Sequence, residues 1–272
     1  MKSLRYVDVH CHVNSKLFKN DFEETLMRAQ AVGVKSIVLS GVNPEANREV
    51  LKLCSQYPML KASLGIYPID AIGLPCDGTG LPRHDGPIDL DSEFAFIRAN
   101  LDHVVSVGEV GMDFHWSKKE EEHVLQEDNF RRIIRFAISI QKPLVIHSRA
   151  AEKECIRVLS EEIKNKEIFV VNHCFSGGKK VIIEAAGLGH FFSIPANIVK
   201  SEQFQMLVGM VDLNQLLTET DSPWLGPVPG ERNEPANVVE SVRMIAQIKG
   251  ISIEACAQAI WNNYIRVFGK DA

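Results

Sequence analysis

Residues 143–174 read PLVIHSRAAEKECIRVLSEEIKNKEIFVVNHC, and the order of patterns within them decides the fold. A short apolar run, Pro143–His147, gives way to an amphipathic stretch, Ala151–Lys164, and a second apolar run follows at Ile168–His173. Runs that are apolar on both faces suit strands covered by helices. Two such runs joined by a helix pair in parallel through a right-handed crossover. Each of the two runs ends on a histidine, His147 and His173.

Outward from this unit the alternation continues in both directions. Further strands are expected at Tyr6–Val13, Lys35–Ser40, Leu60–Ile66, Val104–Gly111, Phe191–Ile194 and Gln215–Thr218. Helices are expected at Phe22–Val32, Pro44–Tyr57, Leu90–Leu101, Glu120–Gln141, Gly178–Leu188 and Ser201–Val211, with two more closing the chain at Pro235–Lys249 and Ser252–Phe268. Eight strands alternating with helices predict an α/β fold, a single (β/α)8 TIM-type barrel domain over residues 1–272. An open doubly wound sheet is the alternative on pattern alone. The length of 272 residues fits one barrel, which commonly occupies about 250.

Composition narrows the function classes. Hydrophobic residues make up 45% and charged residues 24%, an ordinary balance for a globular protein. The formal net charge is -5, unlike the basic footprint of a protein that coats nucleic acid. A nuclease with a local basic rim is still allowed. The six cysteines are scattered with no CxxC pair, which predicts a reducing, cytoplasmic setting. The N-terminus runs straight into a strand pattern, and no apolar run reaches the length of a membrane span, so neither secretion nor a membrane is expected. No obligate protein partner is evident. Residues 72–89 are dense in Gly and Pro and cannot be regular structure for long. They are read either as a tolerated surface insertion or as a lid over the catalytic face.

The chemistry sits at strand ends. His10 and His12 are two apart on the first strand, so both imidazoles take one face while Cys11 takes the other. Glu109 falls within the fourth strand run, and a carboxylate there is costly to bury unless paired or metal-bound. His147 and His173 end the fifth and sixth strands, and Asp221 lies just beyond the eighth. A lone histidine after a strand is usually packing. Six metal-type ligands recurring at strand ends would instead converge on the ring of a barrel mouth, where catalytic residues of this architecture lie.

Seven segments together resemble the TatD family of metal-dependent deoxyribonucleases, within the amidohydrolase superfamily. They are VDVHCHV (7–13), GIYP (65–68), VGEVGMDFH (107–115), PLVIHSRAA (143–151), VNHCFSG (171–177), ETDSPWL (219–225) and RNEPANV (232–238). The resemblance implies a somewhat distorted barrel holding two divalent cations. One would be held by His10, His12, Glu109 and Asp221, and the other by His147 and His173, with Glu109 bridging. Imidazole and carboxylate ligands suit Zn, Mn, Co or Ni, and Mg less well. Cations about 3.5–4 Å apart can share a water, lower its pKa and neutralise charge on a phosphoryl oxygen. Asp221 is expected to be the general base as well as a ligand.

Substrate contacts are expected from Arg149, two residues beyond His147, as a phosphate clamp, from Arg232 in the RNEP loop, and from Tyr67. Trp224 and Phe175 are weighed as base-stacking rings against a packing role, and His115 as a further mouth residue. Two positions depart from the family pattern: Tyr67 replaces a histidine, and Asn14 replaces an aspartate. The expected substrate is DNA, bound transiently and cleaved at a phosphodiester. The alternatives are a small-molecule ester, amide or phosphoester, and a non-catalytic scaffold.

Overall fold

A computed structural model describes residues 4–74 and 80–269. Eight strands lie in one sheet in chain order: β1 (Tyr6–Cys11), β2 (Val34–Ser40), β3 (Leu60–Leu64), β4 (Val104–Gly111), β5 (Leu144–His147), β6 (Val170–His173), β7 (Phe191–Ile194) and β8 (Leu216–Thr218). Every neighbouring pair is parallel. The helices are α1 (Phe22–Val32), α2 (Pro44–Gln56), α3 (Pro68–Ala71), α4 (Leu90–Ala99), α5 (Glu120–Ser139), α6 (Glu152–Glu162), α7 (Lys179–Gly187), α8 (Glu202–Met210), α9 (Val238–Lys249) and α10 (Ile253–Phe268).

Local chemistry sets these boundaries. Asn43 caps α2 by accepting from the Ala46 N–H at 3.0 Å, and Pro44 occupies the first turn, where its missing donor costs nothing. Gly33 ends α1 with φ 102° and Gly250 ends α9 with φ 65°, conformations that glycine adopts without steric penalty. The strands are buried along nearly their whole length. Their side chains join one core with the inner faces of the helices, including Val9, Leu39, Val107, Val145, Val171 and Phe192.

The sheet meets itself at the β8–β1 seam, where side chains supplement the backbone. Thr218 Oγ1 donates to Val7 O at 2.8 Å, and the fully buried Asp8 carboxylate accepts from Thr220 N at 2.9 Å and Oγ1 at 2.5 Å. Beyond β8 the chain crosses to β1: Asp221 N donates to His10 O at 2.9 Å, and His12 N to Ser222 O at 2.8 Å. This diversion ends β1 at Cys11, two residues earlier than the apolar pattern predicts. The eight-stranded architecture is a (β/α)8 TIM-type barrel, and the open doubly wound sheet is set aside. The short helix α3 was not foreseen, and residues 235–237 form a 3-10 turn ahead of α9.

Among the described residues no helix is long and apolar enough to cross a membrane. Cys11, Cys54, Cys155, Cys174 and Cys256 are unpaired. Cys76, with the rest of 75–79, lies outside the described residues.

Candidate metal centre

At the C-terminal ends of the strands, four imidazoles surround one carboxylate. Glu109 Oε2 lies 2.8 Å from His10 Nε2, 3.5 Å from His12 Nε2 and 3.7 Å from His173 Nε2, while its Oε1 lies 3.6 Å from His147 Nδ1. Asp221 Oδ1 stands 3.6 Å from both His10 Nε2 and His12 Nε2. The sequence-predicted ligands are therefore brought together in one place. They form donor groups: His10, His12 and Asp221 on one side and Glu109, His147 and His173 on the other, linked by a third group of His10, His173 and Glu219.

Close backbone approach makes room for Glu109. A Cβ on Gly65 would overlap Glu109 N and Gly41 O, and one on Gly111 (φ 146°) would overlap His147 O. Only glycine lets the strands carrying Glu109 and His147 come this near. Asp221 adopts a left-handed backbone, φ 52°, a conformation that aspartate tolerates better than most residues. It aims the side chain back across the mouth toward β1.

The ligand rings are held from behind. His12 Nδ1 lies 3.1 Å from Ser40 O, a carbonyl that can only accept, so Nδ1 carries the proton and Nε2 is left bare. His10 Nδ1 is 3.0 Å from Ser40 Oγ. His147 Nε2 lies 2.9 Å from Asp113 Oδ2, which also accepts from the Tyr67 hydroxyl at 2.8 Å. His173 Nδ1 lies 3.5 Å from Glu219 Oε2.

Burial and mutual charge polarise the cluster. Burial raises the Glu109 carboxyl, but hydrogen bonds from His10 and His12 and the charge of His173 outweigh it and hold the group well below the usual carboxylate range. Burial pushes Asp221 up to about 6. Burial also drives His10 well down, helped by the neighbouring His173. His173 goes the other way: burial opposes its charge, yet Glu219, Glu109 and Asp221 carry it up to about 9. Imidazole nitrogens and carboxylate oxygens converging in a buried site, with His10 Nε2 and His12 Nε2 only 3.1 Å apart, are the donor set of a transition-metal or zinc site. The residues fit divalent cations.

A cavity of about 590 Å³ opens above the cluster. Tyr67, Arg149 and Trp224 line it, with Trp116 on the rim beneath the Arg149 guanidinium, 5.6 Å from ring centroid to Cζ. Leu81, Pro82, Arg83 and His84 form one wall. Of the segment 72–89, then, Leu74 and Leu81–His84 are built into the cavity, while Ile88 joins the core and Asp89 caps α4. Asn43 Nδ2 donates to Pro82 O at 2.9 Å, and His84 pairs with Glu45 at 2.9 Å.

One expected substrate contact is not brought to the cavity, and one ring weighed for stacking takes the packing role. Arg232 does not line the cavity: its guanidinium forks onto Asp21 at 2.7 and 2.6 Å and donates to Leu17 O at 2.7 Å. It ties the RNEP loop to the start of α1. Phe175 is 1% exposed and packs edge-on against Phe192, so it offers no face to a base. His115 lies off the cavity wall beside Trp116. Asn14 is buried, and among the described residues neither amide atom finds a hydrogen-bond partner. Residues that sequence reasoning missed are Ser40, Asp113 and Glu219. Glu219 carried a signal, since it precedes Asp221 by two residues, the same spacing as His10 and His12.

Residues 7–269 match the family described as TatD related DNase. A mouse protein named putative deoxyribonuclease TATDN3 is 33% identical over 270 residues, covering 98% of this chain and 89% of its own. The human deoxyribonuclease TATDN3 is also 33% identical, over 97% of this chain and 94% of its own. Among solved structures, the Escherichia coli TatD homologue YJJV superposes with a TM-score of 0.82 at 23% identity, over 97% of each chain, a likeness of fold. The chain belongs to the TatD-related DNase family.

Proposed function

We propose that the protein is a metal-dependent phosphodiesterase acting on DNA, with two cations held by His10, His12, Glu109, Asp221, His147 and His173. The observation that carries this reading is the convergence of the donor groups on one floor, where Glu109 of one group also reaches the other, its Oε2 2.8 Å from His10 Nε2 and its Oε1 3.6 Å from His147 Nδ1. Divalent cations bound there would supply Lewis acidity and a water of lowered pKa. Zn, Mn, Co and Ni suit these ligands better than Mg.

The chain's own groups do the rest. Asp221 accepts the proton of the attacking water; its carboxyl, raised to about 6 by burial, is a better base than an exposed aspartate and is still ionised at neutral pH. Arg149 presents a guanidinium at the rim that fits a phosphate oxygen pair. Trp116 and Trp224 give the cavity two aromatic walls, and a nucleobase stacks on such faces whatever its sequence. Tyr67, expected as a substrate contact, holds Asp113 with its hydroxyl and lines the cavity beside His147. The relatives named as deoxyribonucleases support DNA as the substrate. The unpaired cysteines support a reducing, cytoplasmic setting.

The wall formed by Leu81–His84 favours a second reading, a small phosphoester or carboxyl ester enclosed by the same cavity. One experiment separates the two. Protein loaded with Mn or Zn is incubated with end-labelled single-stranded DNA and, in parallel, with a generic phosphodiester and a carboxyl ester. DNA shortening that stops with chelator is the expected result. Intact DNA alongside a hydrolysed carboxyl ester overturns the nuclease reading.

A further inference from the structure

The histidines on the two sides of Glu109 have different backing. His10 and His12 lean on neutral oxygens of one residue, Ser40 Oγ and Ser40 O, at 3.0 and 3.1 Å. His147 and His173 each face a carboxylate whose side chain is fully buried, Asp113 at 2.9 Å and Glu219 at 3.5 Å. A carboxylate behind an imidazole fixes the tautomer and raises the basicity of the far nitrogen. It also places negative charge one ring away from the cation, where low dielectric weakens screening.

We propose that Asp113 and Glu219 are positioning residues that make the His147–His173 side of the centre the tighter of two unequal cation sites. The inference rests on the two-cation reading given above. Both carboxylates are held independently of any cation. Asp113 Oδ1 accepts from the His115 and Trp116 N–H groups at 2.8 and 3.0 Å, and Tyr67 shares its Oδ2. Glu219 accepts from Cys174 N at 2.8 Å and Ser193 Oγ at 2.6 Å. Such networks explain how two anions survive complete burial. Among the described residues the buried His173 Nδ1 has no well-formed hydrogen bond, and at 3.5 Å Glu219 acts on that ring chiefly as a neighbouring charge, whereas Asp113 grips His147 directly. Tyr67 thereby acquires a second role: by donating to Asp113 it moderates the pull on His147.

The test is calorimetric titration of metal-stripped, full-length protein with Zn2+, in wild type and in Asp113→Asn, Glu219→Gln, Ser40→Ala and Tyr67→Phe. Wild type is expected to take up two ions in two resolved events. Asp113→Asn and Glu219→Gln each weaken the tighter event by about 10–100-fold and leave the other within about threefold. Ser40→Ala leaves the tighter event in place. Tyr67→Phe keeps both buried anions, so it reports even where the charge-removing variants do not fold; it is expected to tighten the same event. Equal weakening of both events, no change in either, or a loss confined to the weaker event overturns the proposal. Uptake of fewer than two ions by wild type would instead overturn the two-cation reading beneath it.

Discussion

His10 Nε2 and His12 Nε2 stand 3.1 Å apart, on side chains from a single strand end. Protonated at both atoms, the pair would bring two charges together within a buried site. The arrangement is comfortable when a cation takes both lone pairs, and chelation should therefore be felt by the whole fold. Removing metal with excess chelator is expected to lower the denaturation midpoint, by about 4 kcal/mol of stability if the working metal concentration is 1,000-fold above Kd. Scanning calorimetry with and without Zn2+ added back checks this; identical transitions would speak against a cation at the His10–His12 pair.

Asp221→Asn preserves size and hydrogen-bonding reach but removes the proton acceptor. Turnover of DNA is expected to fall by at least about 100-fold, the scale for losing a general base. Metal content and melting temperature should stay near wild type. Near-normal turnover in fully metal-loaded variant protein would remove Asp221 from this role.

Cation uptake should release protons, and the pH decides from which group. His173 is raised to about 9, so it is protonated at pH 7.5 without metal and must lose that proton when a cation binds. Asp221, raised to about 6, adds a second proton only below that pH, where proton and cation compete for it. About one proton per chain should be released at pH 7.5, and more near pH 5.5. Zn2+ titrations in buffers of different ionisation enthalpy measure the number, and zero release at pH 7.5 would contradict the assignment.

His190 lies outside the metal centre, 1% exposed, and burial pulls its imidazole down to about 4. The unfolded chain takes up this proton near pH 6.5 and the folded chain only near 4. Its contribution to stability is therefore complete above pH 6.5 and is lost as pH falls toward 4, up to about 3 kcal/mol. Urea midpoints measured from pH 7 to 4 should decline less steeply in His190→Phe than in wild type. Parallel slopes would refute the effect.

Gly111→Ala puts a methyl group against His147 O in a backbone at φ 146°. Overlap and strain together should cost at least about 2 kcal/mol and loosen metal binding through His147. By contrast, Arg232→Met severs a partly exposed fork onto Asp21, the hydrogen bond to Leu17 O and the contact of the guanidinium with the Phe18 ring, and should cost about 1–2 kcal/mol. KM for DNA measured on Arg232→Met is expected to match wild type; a large rise would return Arg232 to the substrate side.

The barrel was legible because alternation of buried runs with amphipathic ones is a long-range pattern that no single residue can spoil. His10, His12, Glu109, His147, His173 and Asp221 could be found by their common position at strand ends. Arg232 could not be placed correctly, since a guanidinium in a loop reads the same whether it faces substrate or Asp21. Asp113 and Glu219 were hidden for a related reason. Their work is done through another side chain, and contacts from beyond β4 to β5, or from beyond β8 to β6, are not written in local spacing; only the two-residue step from Glu219 to Asp221 hinted at one of them. The end of β1 was misjudged because the competing acceptor, Ser222 O, belongs to the far end of the chain.

The seam between β8 and β1 has a consequence for biosynthesis. His10 and His12 leave the ribosome well before Asp221 and Ser222, which fasten them and follow about 210 residues later. A nascent chain that ends ahead of residue 221 has both imidazoles but not their lock, and its long-range pairing must wait. If a cation is captured at that position, capture must follow synthesis of residue 221, and truncation ahead of it is expected to leave a product that does not retain an ion there.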